Sequence, residues 1–431
     1  MKRVLVISYY WPPSGGSGVQ RWVKFAKYLP SEDWQPVIYT PENPELTSID
    51  RNMENDIPPE AEIIRTKIIE PYGLYRKLAG NGRKGEGQGE VNPINGRDKS
   101  LKQKISLFIR GNFFIPDPRC LWIRPSARFL VKYLREHPVD IIVSTGPPHS
   151  MHLIARKVAR TTGLPWIADF RDPWTKMFYF KHLHLTKWAQ KKHIALEKSV
   201  LDSASAVVTV TRPLQAEFAS MTDTPVHCIT NGFDEDDFRQ VIEPDGFFNI
   251  THTGLFAGDG NPETLWQVLS DKCRSDEEFR RLLRIRLVGK TDREIKESII
   301  AHGLAENMRD LGYRTHQEAT GEQMGASVLL LPQRKEPEYK AVLTGKIFEY
   351  LASGHPILGI GLTEGAMADV LKETGSGRMI DWDDYSGMEA FIRECWEKFL
   401  KDEPETEARD ISRYSRRELT GQMARLMESL L

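Results

Sequence analysis

The segment from Thr344 to Gly361, TGKIFEYLASGHPILGIG, holds the residues of this sequence best suited to bind a charged ligand. Thr344 and Gly345 precede a predicted helix that begins at Lys346, and the free N–H groups of a helix N-terminus attract anions together with such a lysine. Glu349 lies about one turn further along, where its carboxylate could accept hydrogen bonds from ribose hydroxyls. Phosphate at the helix tip and ribose one turn deeper predict a nucleotide-diphosphate site. An ordinary loop, helix and strand with a solvated Glu349 would show the same pattern.

Glycine-rich loops follow two predicted strands and could bring backbone amides close to a ligand. The first is SGGSG, with Gly16 near its centre, and the second places Gly254 between a strand and a helix. Lys290 follows a third strand, where a cation could meet a diphosphate, although surface lysines are common. The first loop is not the dinucleotide fingerprint, because Arg21 stands where the third glycine belongs and no acid ends the second strand. The sequence therefore disfavours NAD binding.

Two further polar residues follow apolar strands directly. His149 lies in STGPPHSMH at the start of a predicted helix, where an imidazole could hydrogen-bond a sugar hydroxyl or a reacting oxygen. A single histidine is more often structural, and His152 competes for the role. Asp169 lies in ADFRDPW, where an acid could anchor hydroxyls or act as a base. An ion pair among Asp169, Arg171 and Asp172 that only shapes the loop would explain that pattern equally well.

The elements that must position these residues are strands and helices in regular alternation. This pattern predicts parallel sheets of βαβ units, and 431 residues are too many for one core, so we expect an α/β fold of two domains facing across a cleft. In such sheets ligands bind at the carboxyl ends of the strands. The acidic segment DEDDFRQVIEPDG predicts the boundary. The expected domains cover 1–230, with a mobile surface loop at 79–103, and 231–411, and a final helix over 412–431 is expected to pack back on the first domain.

Composition excludes several classes of protein. The chain is 40% hydrophobic and 28% charged, without an apolar run near the ~20 residues that span a bilayer. The start, MKRVLVISYYWPP, ends its short apolar run in WPP and is predicted to be a strand, not a signal peptide. Four cysteines without CxxC spacing argue against a metal site or disulfide framework and indicate a reducing cytoplasm. Nucleic-acid binding is disfavoured because no recognition motif is present.

The charge is unevenly distributed along the chain. Residues 1–230 carry 33 Lys and Arg against 22 Asp and Glu, whereas the remainder carries 26 against 38. Basic and bulky apolar residues are interleaved in the basic half, in KISLFIRGNFF (Lys104–Phe114) and RCLWIRPSARFLVKYL (Arg119–Leu134). Such segments lie on anionic membranes, although amphipathic core helices with solvated lysines and arginines would look similar. The imbalance favours contact with an anionic membrane surface.

Taken together, these segments resemble the family-4-like retaining glycosyltransferases of the GT-B fold, in particular bacterial enzymes of polysaccharide and glycolipid biosynthesis. The resemblance rests on motifs spread from residue 3 to about residue 360, namely VLVISYYWPPSGGSGVQR, STGPPH, ADFRDPW, TVTRPLQAEF with ITNGFDEDDF, and KIFEYLASGHPIL. It implies two Rossmann-like domains, of which the N-terminal binds the acceptor and the C-terminal binds the nucleotide sugar.

The resemblance also implies roles for individual residues. Glu349 matches the second acid of the family's Glu–seven residues–Glu motif and would hold the ribose. Thr344 to Lys346 would offer N–H groups to the diphosphate, Gly16 would lie near the donor phosphates, and His149 would meet the transferred sugar.

Two features depart from the family pattern. Ala341 stands where the family has its first acid, and Glu338 lies nearby but out of register. The Arg/Lys pair that usually clamps the diphosphate after the Gly254 strand is absent from AGDGNPE, so Lys290 or Arg334 would have to substitute.

The predicted activity is sugar transfer, with retention, from a nucleotide-diphosphate donor to a hydroxyl of a glycan or lipid-linked acceptor. No metal or other cofactor is expected, and the nucleotide sugar is a substrate. The predicted location is cytoplasmic, peripheral on the inner face of the membrane. A nucleotide-sugar epimerase of the same fold, or a non-catalytic partner subunit that has lost the donor acid, would also fit the sequence.

Overall fold

The computed structural model describes residues 1–45, 49–69, 101–177, 180, 183–239, 242–243, 245–402 and 410–431. The chain forms two compact units, one of Met1–Thr230 with Leu419–Leu431 and one of Asn231–Glu418. The loop predicted over 79–103 lies outside the described residues except for 101–103, which begin a helix instead.

The first unit is built on seven parallel strands, which are β1 (Lys2–Ile7), β2 (Trp34–Pro41), β3 (Glu62–Thr66), β4 (Ile141–Gly146), β5 (Trp166–Phe170), β6 (Ala206–Thr209) and β7 (Val226–Cys228). Their order in the sheet is β3-β2-β1-β4-β5-β6-β7. The helices between them are α1 (Ser17–Tyr28), α2 (Leu101–Phe113), α3 (Ile123–Glu136), α4 (Ser150–Thr162), α5 (Lys187–Leu201) and α6 (Arg212–Ala219).

Both faces of this sheet are buried, which explains the continuous apolar runs of its central strands. Successive side chains of a strand point to opposite faces. In β1, Leu5 and Ile7 pack in one hydrophobic cluster, while Val4 and Val6 pack in another with helix α1. In β4 and β5, the polar side chains Ser144, Thr145 and Asp169 lie in the second half of the strand, towards the carboxyl edge of the sheet.

The second unit is built on six parallel strands, which are β8 (Phe248–Thr253), β9 (Leu283–Val288), β10 (Met308–Gly312), β11 (Val328–Pro332), β12 (Ile357–Ile360) and β13 (Gly377–Ile380). Their order is β10-β9-β8-β11-β12-β13. The helices of the unit are α7 (Glu263–Ser275), α8 (Glu277–Leu282), α9 (Arg293–Ala301), α10 (His316–Met324), α11 (Lys346–Ser353), α12 (Ala366–Thr374) and α13 (Tyr385–Leu400). Two parallel sheets with intervening helices confirm the α/β fold class.

Strand β13 is not predicted by the sequence. It pairs in parallel with β12, from Gly377 opposite Ile357 to Ile380 opposite Ile360. Only Ile380 of its four residues is buried, so the strand has no apolar run. An edge strand of this kind is recognised by its pairing and not by its sequence.

The final helix, α14 (Arg416–Glu428), begins in the second unit and ends in the first. Within the first unit, Leu419, Met423 and Met427 pack in the same cluster as Trp22 and Leu29. Among the described residues, no helix combines the length and the hydropathy that crossing a bilayer requires.

Candidate functional site

In the second unit, the carboxyl end of β8 meets the N-terminus of helix α11. Gly254, the first residue after β8, has φ 87°, a left-handed conformation that glycine adopts without strain. A Cβ atom at this position would lie 2.8 Å from Cε of Lys346. The absence of a side chain at Gly254 thus allows the lysine of the first helical turn to cross the end of the strand.

The ammonium group of Lys346 is held by neutral groups. Its Nζ lies 3.0 Å from the carbonyl oxygen of Leu255 and 3.3 Å from Nε2 of His252. It forms no ion pair with any residue that the structure describes. Burial lowers the pKa of Lys346 to about 8, and the nearby Glu349 only partly opposes that shift. Its positive charge is therefore available to an anionic ligand near neutral pH.

His252 was missed by the sequence-based prediction, because it lies inside the β8 run and not after it. Nδ1 of His252 lies 3.0 Å from the carbonyl oxygen of Leu330. Nε2 also lies 3.3 Å from the carbonyl oxygen of Leu255. The shorter contact to Leu330, together with the Lys346 ammonium group beside Nε2, favours the tautomer with the proton on Nδ1, in which Nε2 accepts from Lys346. Burial, and secondly the charge of Lys346, lower the pKa of His252 to about 3, so the ring is neutral and does not repel the ammonium group.

Glu349 lies on the same side of helix α11 as Lys346, as expected for residues three positions apart. Its Oε2 accepts a hydrogen bond of 3.0 Å from Nε2 of Gln323, and the same nitrogen lies 3.0 Å from Oγ1 of Thr253. Gln323 therefore links Glu349 to the last residue of β8. Oε1 of Glu349 accepts no hydrogen bond from the described residues and can receive one from a ligand. Neither Gln323 nor Thr253 was predicted to contribute.

The other residues predicted for this half lie around the same strand end. Gly345 precedes helix α11 and is exposed, with open space beside its Cα, and Thr344 is half-buried. Lys290 follows β9 and is exposed; its carbonyl oxygen accepts a hydrogen bond of 2.9 Å from N–H of Phe256, two residues after Gly254. It forms no ion pair within the described part of the chain.

Arg334 and Ala341, which bear on the departures from the family pattern, are both in the second unit. Arg334 forms an ion pair of 3.1 Å with Asp259, so part of its charge is already neutralised. Ala341 ends a short 3-10 turn and is exposed. Lys290 is thus a better substitute than Arg334 for the missing cationic clamp.

In the first unit, the predicted residues lie at the carboxyl ends of β1, β4 and β5. Gly16 precedes helix α1 with φ 97° and is exposed. His149 precedes helix α4, and its ring stacks on Trp174 with centroids 4.6 Å apart and planes 2° apart. Neither ring nitrogen of the buried His149 has a hydrogen-bond partner among the described residues. Burial, then the charges of His152, Arg171 and His193, keep its pKa well below the usual range, so the ring is neutral.

Asp169 does not have the environment of a reacting group, and its proposed catalytic role needs correction. Its side chain is fully buried and forms an ion pair of 2.9 Å with Arg21, which is also fully buried. It also accepts hydrogen bonds from Trp22 Nε1 at 2.8 Å and Thr145 Oγ1 at 2.9 Å. A carboxylate enclosed by protein donors cannot reach a substrate, so Asp169 positions the strand ends and does not react with substrate.

Asp172 is the acid of ADFRDPW that remains open to a ligand. It is half-buried, accepts no hydrogen bond and joins no ion pair among the described residues. Burial raises its pKa, and the charge of Arg171 opposes that rise. Arg171 itself donates to the carbonyl oxygens of Gly18 at 2.8 Å and Gly146 at 3.3 Å. These bonds fix the residue before Asp172 between the glycine loop and the loop that leads to His149.

A group of three or more His, Cys, Asp or Glu side chains suited to a metal ion does not occur in the described parts of either unit. The cationic and neutral donors described above suit an anionic and polyhydroxylated ligand.

Part of the chain matches the model of a known protein family. Residues 94–237 match the family model described as Glycosyltransferase Family 4. The resemblance to family-4 glycosyltransferases is confirmed. A search of curated protein sequences finds no match.

Solved structures show the same architecture over the whole chain. A glycosyltransferase from Rickettsia africae ESF-5 is similar with a TM-score of 0.62 at 12% identity, covering 100% of this chain and 98% of its own. WaaG, a glycosyltransferase involved in lipopolysaccharide biosynthesis, has a TM-score of 0.53 at 13% identity, covering 98% and 99%. TarM from S. aureus, solved with UDP among its ligands, has a TM-score of 0.53 at 10% identity, covering 100% and 98%. At these identities the likeness shows the fold, which is GT-B.

Proposed function

We propose that this protein is a retaining glycosyltransferase that moves a sugar from a nucleotide-diphosphate donor to a hydroxyl of a glycan or lipid-linked acceptor. The observation that carries the proposal is the un-neutralised ammonium group of Lys346 in the first turn of α11, with Glu349 one turn deeper on the same side. The match to the family model and the UDP bound in the TarM structure support a nucleotide-sugar donor.

The proposed binding of the nucleotide-diphosphate donor rests on the N-terminus of helix α11. The diphosphate would accept hydrogen bonds from the N–H groups of Thr344, Gly345 and Lys346, where the helix dipole adds to the lysine charge. Lys290 would contribute a second cation from the end of β9. The free Oε1 of Glu349 would accept a ribose hydroxyl, while Gln323 holds Oε2. The diphosphate of a nucleoside diphosphate would thus contact cationic groups, and its ribose would contact a carboxylate one helical turn away.

The reaction itself breaks the bond between the anomeric carbon and the diphosphate oxygen. The bonding electrons leave with the diphosphate, the acceptor oxygen bonds to the anomeric carbon, and the hydroxyl proton passes to the departing diphosphate. Stabilisation of the developing diphosphate charge by Lys346 and the helix N-terminus would supply most of the rate enhancement. Attack on the face from which the diphosphate leaves would retain the configuration and requires no enzyme nucleophile.

The acceptor half would involve the first unit. Neutral His149, with two ring nitrogens free of partners among the described residues, can donate one hydrogen bond and accept another from sugar hydroxyls. We also propose that the protein acts in the cytoplasm, peripherally on the inner face of the membrane. The likeness to WaaG and to WaaB, a lipopolysaccharide outer core galactosyltransferase, supports a lipid-linked acceptor.

A thermal-shift screen of UDP, GDP, ADP and their sugars tests the donor site, because a ligand that binds only the folded protein raises its melting temperature. The binding nucleotide sugar is then incubated with the protein alone. Release of the sugar to water supports the transferase, whereas absence of any stabilising nucleotide contradicts the proposed site.

An epimerase is the second candidate, since a putative UDP-N-acetylglucosamine 2-epimerase from Listeria monocytogenes shares the fold with a TM-score of 0.53 at 9% identity, covering 99% of this chain and 96% of its own. Conversion of the donor sugar to its epimer, without acceptor, would favour it. The non-catalytic alternative, raised by Ala341, predicts nucleotide binding without any turnover by the purified chain.

Glu349→Ala is expected to weaken binding of the stabilising nucleotide about tenfold to a hundredfold, because a hydrogen bond to a charged group contributes about 1.5–3 kcal/mol. Isothermal titration calorimetry measures the loss. Glu389→Ala, a replacement on helix α13, is the matched control and should bind like the original chain. Equal affinity in a folded Glu349→Ala protein would remove the ribose role.

Affinity for the same nucleoside diphosphate is expected to fall as the pH rises above about 8, the pKa of Lys346 in the free protein. Only the protonated amine attracts the diphosphate, and above its pKa each binding event must first take up a proton. Calorimetric titrations from roughly pH 7 to about pH 10, a range that brackets this pKa and the ordinary lysine value, should show the fall. Lys346→Gln should bind weakly with a flat profile; a parallel fall in that variant would assign the titration to another group.

A further inference from the structure

Trp188 stands apart from the other tryptophans of the protein. Of the ten tryptophans in the chain, nine are buried, with at most 9% of the residue exposed. Trp188, in the first turn of helix α5, is 61% exposed. The ammonium group of Lys192 lies over its ring, 4.7 Å from the centroid. One exposed ring alone needs no explanation, whereas exposed apolar side chains gathered in one patch mark an interaction surface.

Helix α2 presents a stripe of apolar side chains to solvent. Ile105, Ile109 and Phe113 are four residues apart and are 52%, 38% and 72% exposed, and Phe108 beside them is 39% exposed. Leu107 and Gly111 face the opposite way and are buried. The helix thus packs one face against the protein and leaves a second apolar face uncovered by the described residues.

The C-terminal end of α2 is hydrogen-bonded to the start of α5, next to the exposed side chains of both helices. Oδ1 of Asn112 accepts a hydrogen bond of 2.7 Å from N–H of Thr186, the N-cap of α5, and its Nδ2 lies 3.3 Å from the carbonyl oxygen of His184. Phe113 follows Asn112 directly, and Trp188 comes two residues after Thr186. We name the exposed large apolar residues of these two helices, with the exposed lysines of α5 that form no ion pair with a described residue, the α2–α5 surface; it consists of Ile105, Phe108, Ile109, Phe113, Lys187, Trp188, Lys191, Lys192 and Ile194.

The charge of the α2–α5 surface is positive. Helix α2 contains no acidic residue, and the one acid of α5, Glu197, is buried and accepts hydrogen bonds from Trp174 and Thr175. Lys187, Lys191 and Lys192 are exposed and form no ion pair with a residue that the structure describes. Apolar rings with a rim of unpaired lysines match the headgroups and outer acyl region of an anionic bilayer.

We propose that the α2–α5 surface lies on an anionic lipid bilayer, with Trp188 and Phe113 at the level of the headgroups and the lysines on the lipid phosphates. This deepens the membrane part of the proposed function, on which it rests, by naming the surface and the class of lipid. The sequence pointed only to Lys104–Phe114 and Arg119–Leu134, and the contribution of α5 comes from the structure. A second copy of the chain is a poorer occupant, because a two-fold interface would bring these lysines against each other.

Vesicle co-sedimentation of the full chain tests the proposal. Vesicles of about one-third phosphatidylglycerol in phosphatidylcholine should bind the protein, pure phosphatidylcholine should not, and added salt should weaken binding. Trp188→Ala should reduce partitioning about tenfold through lost aromatic burial. Lys187→Gln with Lys191→Gln should reduce it about twenty-fivefold, at about fivefold per lysine.

Matched variants on the second unit serve as controls. Tyr313→Ala removes a ring that is 86% exposed, and Lys372→Gln with Lys398→Gln removes two exposed lysines; both proteins should bind like the original chain. Trp188→Phe should bind nearly as well as the original but lose most of the fluorescence quenching by brominated lipid, since the other tryptophans are buried.

Three outcomes would overturn the proposal. They are unchanged vesicle binding by the α5 variants, equal binding to neutral vesicles, and a dimer in sedimentation that Trp188→Ala dissociates. Nucleotide stabilisation in the thermal-shift screen is measured on the same variants and should not change, because Lys346 and Glu349 lie in the other unit. Failure of lipid binding with intact nucleotide binding would reject the α2–α5 surface alone.

Discussion

Asp169→Ala is expected to destabilise the first unit by about 3–5 kcal/mol, because removal of one partner leaves a buried charge without compensation. Asp169 and Arg21 both have fully buried side chains, and their ion pair is 2.9 Å long. Arg21 also donates to the carbonyl oxygens of Ile229 and Thr230, so its charge cannot move to water without loss of these bonds. Urea unfolding followed by hydrogen exchange of the β1, β4 and β5 amides would measure the effect within that unit.

Replacing both Arg21 and Asp169 by apolar residues distinguishes the cost of an unpaired buried charge from the cost of lost packing. Arg21→Met combined with Asp169→Leu should be less destabilising than Asp169→Ala, since no buried charge remains unpaired. Burial alone raises the pKa of Asp169, but Arg21, Trp22 and Thr145 outweigh it and the net pKa is lowered. A lowered pKa contributes stability above the ordinary pKa of about 4 that is lost as the pH falls through the folded value. An Asp169→Ala protein as stable as the original would show that the pair is dispensable.

Lys346→Met is expected to weaken binding of the nucleoside diphosphate about a hundredfold, about 3 kcal/mol, while leaving the protein at least as stable. The ammonium group is held only by the carbonyl of Leu255 and the ring of His252 among the described residues, so its burial has a cost in the absence of ligand. Methionine fills a similar volume over Gly254 without that charge. In this variant the nucleotide affinity measured by calorimetry should therefore fall, whereas the melting temperature should stay the same or rise.

The control for Lys346→Met is Lys372→Met on helix α12, which removes an exposed lysine away from the α11 N-terminus. It should bind nucleotide like the original chain. A Lys346→Met protein that loses nucleotide binding together with stability would indicate a structural role. Unchanged affinity would place the diphosphate elsewhere and remove the central observation behind the proposed transferase.

The sequence predicted the position of Asp169 at a strand end but not its partners. Arg21 lies 148 residues before Asp169, and the two meet because β1, which leads into helix α1, and β5 flank β4 in the sheet. No local pattern distinguishes Asp169 from Asp172, three residues later. Only the packed structure shows that the first is enclosed by Arg21, Trp22 and Thr145 and that the second accepts no hydrogen bond from the described residues.

Sequence alone likewise identified only part of the candidate nucleotide site in the second unit. The lysine and the acid of KIFEYLASG were evident from sequence because helix periodicity places positions three apart on one side. His252, Gln323 and Thr253 were not, because buried polar residues within or beside apolar runs look like ordinary core positions. Their roles depend on β8 lying beside β11 and next to the start of α11, which is a long-range arrangement.

The sequence by itself determined the alternation of strands and helices, and with it the parallel sheets, because burial of both sheet faces leaves apolar runs that local composition records. It also determined which strand ends carry glycine, lysine and acid. The tertiary structure alone decided which of those groups are neutralised, as Asp169 is by Arg21, and which keep a free charge, as Lys346 does. The physical reason is that neutralisation depends on partners distant in the chain, and only the packing of the elements brings such partners within hydrogen-bonding distance.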